Sequence, residues 1–108
     1  LSLNEILMDI VNERHRQDEK WGEQTHPFTR LSANHHKLLA DSWKDANDRV
    51  NQDPNQEITW DAIALEELHE AFAETDPVLI RREAIETAAV MVALVEDLDR
   101  QAVPQDPT

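Results

Sequence analysis

Apolar residues recur along this chain at the three- and four-residue intervals of α-helices, and the ends of each stretch carry helix start or stop signals. Leu3, Ile6, Leu7, Ile10 and Val11 form the first stretch, and Ser2 followed by Glu5 is a capping-box start, so a helix is predicted over 3–19. It should end near Trp21-Gly22, with Gly22 and Pro27 making the stretch to Arg30 a loop. Ser32 is placed to cap a second helix whose narrow apolar stripe, Leu39, Trp43, Ala46 and Val50, ends before Asn51-Gln52-Asp53-Pro54. Thr59 precedes a third, strongly periodic segment running to about Thr75. Asp76-Pro77 supplies an N-cap and the proline favoured at a first helical position, so a fourth helix should run from there to about Gln101. Residues 102–108 read as a loose tail.

Composition agrees with this pattern. One glycine and no tyrosine, among many Ala, Leu, Glu, Asp and Gln, favour helices over hairpins and glycine-rich phosphate loops. With 108 residues we expect a single all-α domain, a four-helix bundle. The net charge of −13, from 23 acidic and 10 basic side chains, repels a polyphosphate backbone and argues against nucleic-acid polymers as partners. A single nucleotide stays possible, because a bound divalent cation reverses the local sign of an acidic pocket. Cysteine is absent, which rules out thiolate metal sites. Glu5 and Asp9 interrupt the start where an export segment needs an apolar run, and the longest apolar stretch, 88–95, is far short of a membrane span. A soluble, cytoplasmic protein with no membrane partner is the expectation.

Several glutamates do not fit a solvated helix face. Successive residues turn by about 100° on a helix. On the third helix Ile63, Trp60, Ala71, Ala64, Leu68, Phe72 and Leu65 then form one apolar arc, and Glu67 projects into it between Ile63 and Trp60. Glu70 borders the arc and Glu66 sits beside Glu70. On the fourth helix Glu83 projects among Leu79, Val90, Leu94 and Thr87, and Glu86 falls beside Leu79 and Ala93. A carboxylate in such a direction must be paired, protonated or bound to a cation. Glu67 and Glu70 are spaced i,i+3, as are Glu83 and Glu86, so two antiparallel helices joined at Thr75-Asp76 would bring the pairs face to face. Carboxylates that close repel by about 4 kcal/mol per pair at an effective dielectric near 20, which an oxygen-seeking cation such as Mg²⁺ offsets. Glu5, Glu13, Glu74 and Glu96 read instead as ordinary solvated positions.

The segment Trp60-Asp-Ala-Ile-Ala-Leu-Glu-Glu-Leu-His-Glu70, followed by Arg82-Glu-Ala-Ile-Glu-Thr-Ala-Ala-Val90, resembles the MazG-like branch of the all-α nucleoside triphosphate pyrophosphohydrolases, a superfamily that includes dimeric dUTPases. Its mark is an E-E-x-x-E helix followed by a helix with E-x-x-D. Glu66-Glu67-x-x-Glu70 matches the first, and Glu83-x-x-Glu86 matches the second with Glu in place of Asp, which lengthens the arm at Glu86. The segment from Glu13 to Gly22 looks like the N-terminal signature of a subset of these proteins. The resemblance implies hydrolysis of a nucleoside triphosphate to monophosphate and pyrophosphate, with Mg²⁺, or Mn²⁺ in its place, held by Glu67, Glu70, Glu83 and Glu86. Glu66 is then the candidate to take the proton of the attacking water.

Other constellations were weighed against this one. Glu66-x-x-His69 has di-iron carboxylate spacing, but a second helical E-x-x-H is missing. His35-His36 point about 100° apart on a helix and are expected to face solvent. Among Trp21, Trp43 and Trp60, whose commoner role is packing, Trp21 is the best base-stacking candidate, in a loop beside Lys20. The run 88–95 is apolar around the whole helix, more than one small domain can cover, so self-association as a homodimer or homotetramer is expected. The alternative to an enzyme is a non-catalytic helical oligomer that binds metal or nucleotide in a regulatory role.

Overall fold

The computed structural model describes residues 2–102. All but Ala102 of the tail expected at 102–108 therefore lies outside the described residues. The described chain is all-helical, with α1 (Leu3–Trp21), α2 (Ala33–Gln52), α3 (Trp60–Ala73) and α4 (Pro77–Ala102). No helix among these residues is long and apolar enough to cross a membrane.

The helix starts follow the local chemistry. Ser2 Oγ accepts from the Glu5 amide at 3.2 Å, and Ser32 Oγ accepts from the His35 amide at 3.1 Å, each satisfying a donor that the first turn leaves without a helical partner. Asp76 Oδ1 does the same for the Val78 amide at 2.9 Å, ahead of Pro77, whose missing N–H costs nothing there. At the start of α3 the Thr59 hydroxyl donates instead to the Asp61 carboxylate, so Thr59 makes no side-chain cap.

Helix α1 ends at Trp21-Gly22, as expected. Trp21 is its last helical residue rather than part of a loop, and Gly22 closes it, donating its N–H to the Asp18 carbonyl at 2.8 Å with φ +66°. Only glycine takes that left-handed φ without strain. Lys20 in the last turn also suits the negative end of the helix dipole.

The chain divides into two compact units. One, Phe28–Met91, holds α2, α3 and the first part of α4, and within it α2 packs along α3. The other holds α1 and the part of α4 from Val92 onward. Buried apolar side chains are few among the described residues: Ile6, Ala40 and Ala71. Helix α4 buries none.

Candidate metal centre

Helix α3 carries Glu66, Glu67 and Glu70, and α4 carries Glu83 and Glu86, all within the Phe28–Met91 unit. One carboxylate oxygen from each of Glu67, Glu70 and Glu83 lies within 4.8 Å of the others, and all three side chains are half-buried. The i,i+3 spacing on α3 puts Glu67 and Glu70 on one side of the helix, and Glu83 meets them from α4. Six-coordinate Mg²⁺, with oxygens at roughly 2.1 Å, spans about 4.2 Å between opposite ligands, so small side-chain rotations would bring this set into range.

The cluster lacks the partners that would make it an ordinary polar network. Glu67 Oε2 and Glu83 Oε2 are buried and accept no hydrogen bond. Ion pairs among the described residues, such as Arg14–Asp18, Lys37–Asp41 and Lys44–Asp48, join neighbours on single helices and none reaches these glutamates. Burial, then the charges of Glu67 and Glu66, a hydrogen bond with Glu66 and the charge of Glu83 push the Glu70 carboxyl up to about 7. Burial followed by the charges of Glu86 and Glu66 raises Glu67 above the usual carboxylate range. Glu83 is raised by burial first and then by Glu86, Glu67 and Glu74. Three acids displaced in the same direction, without a cation of the protein's own to offset them, have the chemistry to share a proton or to hold a metal ion.

Glu66 stands one turn before Glu70 on α3 and accepts a hydrogen bond from Asn47 Nδ2 of α2 at 2.9 Å. Glu86 is exposed and outside the three-oxygen group, and it acts on the site through its charge and a hydrogen bond to Glu83. It also lines a shallow hollow with Arg81, Arg82 and Ile85. Thr87, beside Glu83 on the wheel, donates its hydroxyl to the Glu83 carbonyl at 2.8 Å and so brings no free donor to the carboxylates.

Lys20 and Trp21 belong to the unit containing α1. The Lys20 ammonium lies 4.7 Å from the centre of the Trp21 ring, which is 58% exposed. That is a cation–π pair with an open aromatic face.

His36 overturns the expectation of a solvent-facing pair. It is 8% exposed. Its Nε2 lies 2.9 Å from Thr29 Oγ1 and its Nδ1 lies 3.2 Å from His69 Nδ1 on α3. Thr29 donates its hydroxyl to the Leu31 carbonyl at 3.0 Å, so its oxygen accepts the Nε2–H of His36. His36 Nδ1 then accepts from the Nδ1–H of His69. Burial, with His36 and His35 nearby, holds His69 below the usual imidazole range. Nothing in the sequence marks Asn47 or separates His36 from His35, because Glu66 and His69 lie on another helix at separations no local pattern reveals.

No protein-family model, curated protein or solved structure matches this chain.

Proposed function

We propose that this chain is a Mg²⁺-dependent nucleotide pyrophosphohydrolase, converting a nucleoside triphosphate to the monophosphate and pyrophosphate on an all-α scaffold like that of the MazG-like enzymes. The observation that carries this reading is the convergence of Glu67, Glu70 and Glu83 on one point, with buried, unpartnered oxygens on Glu67 and Glu83. The donor set is all carboxylate oxygen, which suits Mg²⁺ or Mn²⁺ over metals that favour nitrogen or sulfur.

A bound Mg²⁺ would neutralise phosphate oxygens and draw the triphosphate to a pocket that otherwise repels it. Glu67, Glu70 and Glu83 would hold that cation, with Glu86 reaching it from the rim through a water or by a change of rotamer. Glu66, tied at one oxygen by Asn47, would accept a proton from water at its other oxygen. The water oxygen bonds to the α-phosphorus as the bond to the α–β bridging oxygen breaks, and pyrophosphate leaves with that oxygen.

The apolar side chains left open on α1 and α4 fit a homodimer or homotetramer. A cysteine-free chain fits action in the cytoplasm. One observation favours the regulatory binder instead: Glu86 lies outside the three-oxygen group. The deciding experiment incubates the purified protein with a panel of ribo- and deoxynucleoside triphosphates and Mg²⁺, with pyrophosphate release as the signal. Release from at least one nucleotide, abolished by EDTA, supports the enzyme. Nucleotide binding without release supports the binder.

A further inference from the structure

Asn47 is 5% exposed, more buried than any other polar side chain among the described residues. Asparagine is a poorer helix former than leucine or alanine, and its amide costs free energy to bury unless its donors are met. Both donors are spent on α3. Nδ2 donates to the Ala62 carbonyl at 3.1 Å and to Glu66 Oε1 at 2.9 Å. Ala62 lies one helical turn before Glu66, so the amide ties the backbone and the carboxylate of the same turn together. A leucine here would make neither bond.

The consequence falls on Glu66. Its side chain has three rotatable bonds, and the Asn47 bond fixes one oxygen of its headgroup. One turn further along α3 lies Glu70, whose carboxylate belongs to the three-oxygen cluster. We propose that Asn47 is a positioning residue for the carboxylate site: reaching from α2, it holds one oxygen of Glu66 and so fixes that carboxylate one turn from Glu70, at the edge of the cation cluster. This rests on the carboxylate cluster being a cation site, and its test separates the two.

In the full chain, Asn47→Leu and Asn47→Asp are each made alone and combined with Glu66→Ala, and Mn²⁺ affinity is measured by titration calorimetry alongside kcat and KM. Asn47→Leu should weaken Mn²⁺ binding roughly tenfold and lower kcat by about 10–100-fold with little change in KM, the size of effect seen when a group orienting a ligand is lost. With Glu66→Ala already present, neither Asn47 variant should cost anything further, because the carboxylate it orients is gone. Asn47→Asp keeps the shape, cannot donate and repels Glu66, so it carries the same comparison if the leucine variant fails to fold. Equal losses in both backgrounds would show that Asn47 only packs α2 on α3, and would overturn the proposal. A wild type that binds Mn²⁺ but turns over no nucleotide would sink the hydrolase reading while the affinity cycle still decided Asn47. A wild type with neither property would overturn the site and the role of Asn47 with it.

Discussion

Glu67 and Glu83 each keep one carboxylate oxygen buried without a partner, at a cost in free energy that a bound cation would offset. Replacing either by glutamine preserves shape and helix propensity but removes a charge and an oxygen ligand. If they hold the cation, Mg²⁺-dependent pyrophosphate release should fall by about a hundredfold or more in Glu67→Gln and Glu83→Gln. Glu96→Gln should leave it unchanged. Mutants that match wild type, or that lose activity only by unfolding, would make these glutamates structural. Glu70 supplies a test without turnover. Its carboxyl is pushed from 4.5 up to about 7, so the folded chain binds more proton there than the unfolded chain between those values. The stability this group contributes is therefore complete below about pH 4.5 and is lost as pH rises through 7. His69 works the other way, since its depressed folded pKa gives stability that is lost as pH falls below the ordinary histidine value. Comparing wild type with Glu70→Gln isolates the acid: the metal-free melting temperatures should agree near pH 4.5, with the glutamine variant higher by pH 8. Saturating Mg²⁺ should raise the wild-type melt at pH 8 and close that gap. Coincident apo curves at every pH would count against the raised carboxyl.

What the sequence makes legible at the level of elements is whatever is decided within one helical turn. Ser2, Ser32 and Asp76-Pro77 announce helix starts because a cap satisfies amides only two or three residues away. The wheel likewise places Glu67 and Glu83 in apolar directions, and their half-burial follows. It cannot tell which neighbouring helix fills the space opposite. Asn47 and Glu66 are 19 residues apart, and His36 and His69 are 33 apart, so neither pair leaves a spacing signal. His35 and His36 look equivalent in sequence. Packing of α2 on α3 selects His36 for burial, against Phe72 at 5.4 Å between ring centres. The Thr29–His36–His69 chain should therefore act as a polar clamp of the α2–α3 seam. His36→Leu would leave the Nδ1–H of His69 without its acceptor, at a cost of about 1–3 kcal/mol. Urea denaturation should show that loss, while the rise in melting temperature with Mg²⁺ persists because the clamp holds none of the carboxylates. Unchanged urea stability would mean that the two imidazoles are merely adjacent.

For the molecule as a whole, the contrast is between a core with few closed apolar positions and helices that leave large apolar side chains in water. On α1, Leu3, Leu7, Met8, Ile10 and Val11 are all 42% exposed or more. On α4, Val78 is 71% exposed, Ile85 52%, Met91 48% and Leu98 53%, and no residue of that helix is buried. Burying a fully exposed side chain of this kind gains roughly 1.5–3 kcal/mol, and these, about half exposed, each gain a share of that, so faces of this kind favour association over isolation. The net charge of −13 opposes it, since like-charged copies repel at long range. The apolar term is short-ranged and unaffected by salt screening, whereas the repulsion is weakened as the Debye length shrinks to about 10 Å at 0.1 M salt. Association should thus strengthen with salt, the opposite of an assembly held by surface ion pairs. Light scattering at micromolar concentration should give at least double the 12.4 kDa of one chain, the more so in 0.5 M NaCl than at low ionic strength. Met91→Lys and Leu98→Lys place a charge on the α4 face without altering the carboxylate cluster, and either should shift the mass toward a single chain. A mass of one chain across the salt series would mean that the copies do not associate, and lysine variants that assemble as wild type does would show that this face does not join them.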